Sequence, residues 1–378
     1  MKLMTKKRWL WGAGLLAATL LGMAVVVYPS PYSVDRTPKM DKIPPKIATL
    51  FKATKPVCFG RFMIDIPQHA EMIWGPAGVP YELTTYPGEG AKLNLEISQK
   101  IKEIKNAKHN VEPSMLIGSF DSINPDSKII VGYKNTSDTF FAQLYSYIRL
   151  GKTAFVQSIP SLALGVEDKS DPSGYRDDKT AYKQELAALL DTAKRLRLRE
   201  ESEVPSEQGV CIEGGFIVSP LQYQRERITA GFRFPEYPDV SFSIETRSVE
   251  APNEDGSLAI SLARGRESAE AAGMGSWYSS INVLRKGERA IGEWRGAEAL
   301  ARMPGQNGGP SVHDFMFKAT GAEKDVLKPY VSIDLNTGVH KNSKSSVAPS
   351  LNDAEAMALW DKLTSSIRVR TVVSGTAS

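Results

Sequence analysis

The sequence predicts an α+β protein made of two tandem, similar domains, each a mostly antiparallel sheet with packed helices, after an N-terminal transmembrane helix. Three observations predict it. A length of 378 residues favours two domains over one. The chain has two cysteines, and they open phrases of one kind: Cys58-Phe59-Gly60-Arg61-Phe62-Met63-Ile64-Asp65-Ile66-Pro67 and Cys211-Ile212-Glu213-Gly214-Gly215-Phe216-Ile217-Val218-Ser219-Pro220. The regions they open also close alike, on Arg195-Leu196-Arg197-Leu198-Arg199 and on Ile367-Arg368-Val369-Arg370. A matched start and a matched end, in the same order, are the mark of a duplication. Strand-like segments outnumber helical ones, without long βαβ alternation.

At the N-terminus, Lys2, Lys6, Lys7 and Arg8 precede an uncharged run from Trp9 to Tyr28. About 20 such residues cross a bilayer as a helix. Trp9, Trp11 and Tyr28 lie at its ends, where amphipathic rings favour the headgroups. The positive flank keeps residues 1–8 cytoplasmic and exports the remainder, giving an exported chain anchored in the membrane by residues 9–28. An uncleaved signal-anchor fits this run better than a cleaved signal peptide, which wants a shorter apolar core. Residues 29–55 hold Pro29, Pro31, Pro44 and Pro45 and are expected to form a tether, with one short helix near Ile47–Lys52.

The N-terminal domain is expected over 56–200. Its strands are Phe59–Ile66 and Tyr81–Thr85, followed by a helix across 91–107 on which Leu93, Ile97, Ile101 and Ile104 share a face. Strands follow at Lys128–Tyr133, Thr139–Leu150 and Thr153–Ser158. The middle one carries aromatics on both faces and so should be central and covered on both sides. Tyr182, Leu186, Leu189, Leu190, Ala193 and Leu196 mark the closing helix.

After a linker at 201–208, the C-terminal domain runs over 209–371. Strands are expected at Ile228–Phe234 and Val240–Thr246, then a helix over 257–272. Further strands are expected at Ile281–Leu284, Arg289–Arg295, Glu298–Met303, Asp314–Ala319 and Tyr330–Leu335. Met357, Trp360, Leu363 and Ile367 line one face of the final helix, and Ser350-Leu351-Asn352-Asp353 has capping-box spacing. Residues 372–378 form a tail.

Composition narrows the chemistry. With 42% hydrophobic and 24% charged residues and a net charge of +4, the exported part is ordinary globular material. It shows no basic stripe interleaved with aromatics, which argues against nucleic acid as a partner. The four histidines, His69, His109, His313 and His340, make neither H-E-x-x-H nor zinc spacing with cysteine. No G-x-S-x-G elbow occurs. Gly151-Lys152-Thr153 ends like a phosphate loop, but Ser146 stands where that loop needs glycine. Gly88-Glu89-Gly90 starts like a dinucleotide motif, but Leu93 holds its third glycine position, so it is a turn before a helix. His313 and Asp314 are neighbours on a strand and point to opposite faces, which separates them as an acid–base pair and leaves His313 as an expected surface residue. No catalytic, cofactor-binding or metal residue is therefore assigned, no cofactor is expected, and the chain is not expected to be an enzyme.

Several residues admit two readings. Arg195, Arg197 and Arg199 are either solvated charges at a helix C-terminus or a positive stripe for an acidic partner. Trp74, Trp277, Tyr278 and Trp294 sit beside glycines as interface anchors or as core. Cys58 and Cys211 are a candidate disulfide in an oxidising compartment, or two small buried hydrophobes.

The stretch Lys55–Pro67, the mid-chain Gly209–Ile217, and Trp360-Asp361-Lys362-Leu363 before Ile367-Arg368-Val369-Arg370 resemble one bacterial family. It is the two-domain immunity family that neutralises the fourth class of type VI secretion lipase effectors, and the resemblance runs from about 55 to 371. It implies a periplasmic inhibitor whose two domains clamp a cognate phospholipase. Its motifs are structural, so no partner-binding residue carries over from them. The alternatives are an inner-membrane-anchored structural or assembly subunit of an envelope complex, and an envelope hydrolase of unrecognised type.

Overall fold

The computed structural model describes residues 43–167, 175–340 and 345–372. The apolar segment 9–28, the tether up to residue 42 and the tail from 373 lie outside the described residues. Among those described, no helix is long and apolar enough to cross a membrane.

In chain order the first half comprises α1 (Pro45–Leu50), β1 (Thr54–Phe59), β2 (Phe62–Pro67), β3 (Glu71–Gly78), β4 (Glu82–Tyr86), α2 (Leu93–Asn106), β5 (Leu116–Asp121), β6 (Lys128–Tyr133), β7 (Phe141–Leu150) and β8 (Thr153–Ala163). It continues with the short pair β9 (Gly165–Glu167) and β10 (Tyr175–Asp177), then α3 (Tyr182–Arg195) and β11 (Leu196–Leu198). The second half comprises β12 (Gly209–Ile212), β13 (Gly215–Val218), β14 (Arg227–Phe234), β15 (Tyr237–Arg247), α4 (Leu258–Ala271) and α5 (Gly275–Ser279). It ends with β16 (Asn282–Ile291), β17 (Trp294–Met303), β18 (Val312–Ala319), β19 (Tyr330–Thr337), α6 (Asp353–Ser365) and β20 (Arg368–Val369). Each half thus runs hairpin, hairpin, helix, four strands, helix, short strand. The duplication expected from the sequence is present in the topology.

The halves are joined more closely than the word tandem implies. One sheet runs β5-β6-β7-β8-β4-β3-β14-β15-β19-β18-β17-β16, so each half contributes the same strand order and the two meet where β3 pairs antiparallel with its counterpart β14. The closing strands are exchanged. β20 of the second half pairs with β2 of the first, and β11 of the first pairs with β13 of the second. An antiparallel pairing of equivalent strands with reciprocal exchange is two-fold arrangement within a single chain. Linear reading places each closing strand on its own half, because sequential elements are usually neighbours.

Burial follows the period-2 alternation. On the inner face Phe232, Phe242, Ile244, Phe315, Phe317, Ile333 and Leu335 are wholly or almost wholly enclosed and pack with Trp360 of α6. Trp360 meets Phe242 and Phe315 edge-on at 6.1 Å between ring centroids. Truncating it to alanine forfeits about 3–5 kcal/mol. The opposite face of the second half is covered by Leu258 and Leu262 of α4 and Tyr278 of α5, against Ala299 and Ala301. In the first half, Leu93, Ile97 and Ile104 of α2 and Leu189 of α3 cover β6 and β7. β7 lies between β6 and β8, as a central strand should, but Phe140 and Phe141 are exposed and Tyr147 is its buried aromatic.

Several boundaries differ from expectation for local reasons. The single strand expected over 59–66 is a hairpin, because Gly60 takes a left-handed φ of 55° and turns the chain. Likewise the strand expected over 289–295 is divided between β16 and β17 by Gly292 at φ 54°. The final helix is capped two residues later than the spacing suggested. Asn352 accepts from the Glu355 backbone N–H while the Glu355 carboxylate accepts from the Asn352 N–H. The helix expected within the tether exists as α1, but it is built into the body: Ile47 is fully buried and Lys46 pairs with Glu355 of α6.

Candidate interaction surface

The seam between the halves begins at the cysteines. Cys58 in β1 and Cys211 in β12 are joined by a disulfide, with Cα atoms 5.9 Å apart across 153 residues of sequence. Beside it, Gly60 and Cys211 exchange backbone hydrogen bonds in both directions, at 2.9 and 2.8 Å. With Phe216 the cysteines form a fully buried cluster.

The arginines that close each half reinforce this seam. The Arg199 guanidinium donates to the carbonyls of Glu200, Glu201, Glu203, Ile212 and Gly215. Arg370 donates to those of Pro205, Glu207 and Gly209. Burial lowers the pKa of both guanidinium groups. Arg197 is held by Glu203 and Glu207, and Arg195 by Asp191 and the Val218 carbonyl. The alternation of arginine and apolar residues therefore ties the 200–209 connection to the neighbouring hairpin. Arg195 does sit at the C-terminus of α3, as the helix-end reading expects, while Arg197 and Arg199 are held within the protein and are not a stripe left free for a partner.

The other sequence candidates are also placed. His313 is buried on the inner face, its ring nitrogens against Thr337 Oγ1 at 2.6 Å and Asp353 Oδ1 at 2.9 Å, so it is not the surface residue expected. Asp314 does point to the other face. His109 staples two loops: its Nδ1 accepts from the backbone N–H groups of Val111 and Glu112, and its Nε2 lies 3.0 Å from the Asp138 carbonyl. His340 lies against Trp277, and His69 is exposed. Trp294 and Tyr278 are core residues whose polar atoms donate to Leu327 and Leu262 carbonyls. Trp277 donates to the Pro304 carbonyl, and Trp74 remains half-buried at the seam. Gly151 turns β7 into β8, and Gly88-Glu89-Gly90 leads into α2. Among the described residues, no group of three or more His, Cys, Asp or Glu is placed to hold a metal.

Two cavities adjoin at the seam. One, of about 540 Å³, is lined by Pro76, Glu82, Tyr223, Arg225, Arg227 and Arg247. The other, of about 310 Å³, is lined by Trp74, Gly75, Pro76, Thr84, Thr85 and Glu213. Apolar surface is exposed on the His109-stapled loops of the first half and at the start of β7, where Val111, Phe140 and Phe141 reach solvent. Sequence reading missed Arg61, which sits in the β1–β2 turn and meets Glu226 of the other half. It also missed β3, where the Gly75-Pro76 dipeptide reads as a loop. The available signal was a proline that tolerates only an incomplete ladder.

Family models for the N-terminal and C-terminal domains of Tle cognate immunity protein 4 match residues 55–199 and 203–372. The chain belongs to this family. Among solved structures, an apo immunity protein TplEi of the type VI secretion system of Pseudomonas aeruginosa matches with a TM-score of 0.65 at 22% identity, covering 85% of this chain and 98% of that one. The Tle4–Tli4 complex matches with a TM-score of 0.67 at 23% identity, over 85% of this chain and 98% of that one. TplEi of Pseudomonas aeruginosa complexed with an "L" peptide matches with a TM-score of 0.62 at 22% identity, over 85% and 99%. At these identities the likeness shows a common fold. A comparison with curated proteins finds no match. The boundary between the two Tle cognate immunity protein 4 domains, at 200–202, falls within the segment that Arg199 holds against the β12–β13 hairpin.

Proposed function

We propose that the chain binds a cognate type VI secretion phospholipase effector and keeps it from its substrate by covering it, which protects the producing cell from its own toxin. The observation that carries this reading is the match of both family domains, in order, across 55–372. The solved relatives support it: one is described in complex with Tle4 and another with a peptide. A scaffold whose buried arginines and histidine serve packing, and whose seam carries two cavities open to solvent, suits inhibition by surface complementarity. A tight complex of this kind buries roughly 1,600 Å² in total.

The same reading places residues 43–372 in the periplasm, with the apolar segment 9–28 as an inner-membrane anchor and residues 1–8 in the cytoplasm. The Cys58–Cys211 bridge supports an oxidising compartment. The test is to direct a Tle4-type lipase effector from the same genome to the periplasm, with and without the full chain. Lysis in its absence and survival in its presence is the expected result. Equal lysis in both overturns the proposal. Membrane fractionation with N-terminal sequencing decides the anchor: retention of residues 9–28 in the membrane fraction supports it, and a mature soluble chain excludes it.

A further inference from the structure

The two hairpins that meet at the seam are topologically equivalent but differently zipped. In the second half, β14 and β15 pair along their length, from Arg227↔Arg247 to Phe234↔Tyr237. In the first half, β3 and β4 pair only at Ala77↔Leu83 and Gly78↔Glu82. Back towards Met72, β3 is laddered only to β14, and on towards Tyr86, β4 is laddered only to β8. The cause lies in the sequence. Pro76 has no backbone N–H to give, and Gly75-Pro76 stands opposite the single residue Thr229, where the β3–β14 register shifts.

The 12-stranded sheet is therefore split beside its centre, and the split is the cavity of about 310 Å³ between β3 and β4. Gly75, Pro76 and Thr84 are exposed along it. Strand edges that face solvent are templates for another chain. The ionisable residues that line the cleft directly are Glu82 and Glu213, while the Arg199 guanidinium lies 5.9 Å from the Trp74 ring. Neither has an ion-pair partner among the described residues; of the arginines in the adjoining cavity, Arg225 and Arg227 are paired with Glu250 and Glu245, and Arg247 stacks on the Tyr330 ring. Next to Gly75, the buried Thr229 hydroxyl has no hydrogen-bond partner among the described residues.

We propose that this cleft receives an extended, Lys- or Arg-bearing segment of the effector, which adds main-chain hydrogen bonds to the free strand edges and sets its cation between Glu82 and Glu213. Strand addition draws affinity from the main chain and specificity from side-chain pockets, and the cleft offers both. This inference rests on the effector-binding reading given above.

The test is calorimetric titration of the full chain with the Tle4-type lipase against which it protects, alongside hydrogen exchange on the complex. Glu82→Lys with Glu213→Lys is expected to weaken binding at least tenfold, while Glu267→Lys on α4 leaves it within twofold. In the wild-type complex, those amides of residues 73–75 and 84–86 that are not bonded to β14 or β8 are expected to become protected. Should the double variant fail to fold, the exchange measurement on wild type decides alone. Wild-type binding with those amides unprotected overturns the cleft and leaves the effector reading intact. Absence of wild-type binding overturns both.

Discussion

Arg61 and Glu226 belong to different halves of the chain and form a two-point ion pair inside the protein. Arg61 Nε lies 2.9 Å from Glu226 Oε2, and Nη2 lies 2.6 Å from Oε1. Both side chains are less than a tenth exposed. The remaining donors of Arg61 go to the hydroxyl and carbonyl of Ser219 and to the Pro220 carbonyl. The Arg61 carbonyl in turn accepts from the Arg370 N–H. One turn residue thus holds the second hairpin, the β14 approach and the C-terminal strand.

Removing the carboxylate leaves a guanidinium buried without its counter-charge. Glu226→Ala is therefore expected to destabilise the fold by about 3–5 kcal/mol. Urea unfolding followed by tryptophan fluorescence measures it. A loss under about 1 kcal/mol would mean that water reaches Arg61 and that the pair does not hold the seam.

The disulfide acts on the unfolded chain. It closes a loop of 153 residues, and closing long loops removes the most freedom from the unfolded ensemble. Replacing both cysteines by alanine is expected to lower the unfolding free energy by about 2–4 kcal/mol. The native hairpins should stay paired, since Gly60 and Cys211 remain joined by their backbone hydrogen bonds. Equal denaturation midpoints for wild type and variant, both without reductant, would contradict this account.

Local structure was largely legible in the sequence, and long-range structure was not. The helices over 93–106, 182–195 and 258–271 lie where periodicity placed them, because a buried stripe needs repeated apolar residues at fixed spacing. The duplicated phrases pointed to two equivalent halves. What they could not indicate was that Arg368–Val369 would pair with Phe62–Met63 and not with its own half. The hydrophobic pattern of a two-residue strand suits either hairpin, so only the assembled sheet selects the partner. The same holds for the surface. Glu82 and Glu213 are unremarkable acids 131 positions apart, and the cleft they share arises from a missing ladder that begins at Gly75-Pro76. His313 was misplaced because an isolated polar residue on a strand is usually exposed; the partners that permit its burial, Thr337 and Asp353, come from β19 and the start of α6.

Strand exchange makes the halves interdependent. A fragment of residues 43–200 lacks β13 for its β11, β14 for its β3 and β20 for its β2. A fragment of residues 201–372 lacks the reciprocal partners. Each alone exposes unpaired edges and the apolar residues that the other half covers. Each is expected to be unfolded or aggregated by circular dichroism and gel filtration, whereas co-expression yields a stable complex of the two. An isolated fragment that is monomeric and melts cooperatively would show that the halves are independent domains.

Acid should stabilise one part of the second half. Asp314 of β18 and Asp334 of β19 lie on the face turned away from Trp360. Burial, with the negative charge of Asp334 adding to it, pushes the Asp314 carboxyl up to about 6. Burial also raises Asp334, although Lys318 and the Ser332 hydroxyl work against it. The ordinary value for an aspartate in an unfolded chain is near 4. Between about pH 4 and 6 the native state therefore binds more protons than the unfolded state, and stability falls as pH rises through that window. The cost is fully present above the native value and vanishes below the unfolded one. Asp314→Asn is thus expected to stabilise the protein by roughly 1–3 kcal/mol near pH 7, and to give no gain near pH 4. Denaturant unfolding of wild type and variant across that range measures the difference. A gain that does not change with pH would assign the effect to packing and not to the charge.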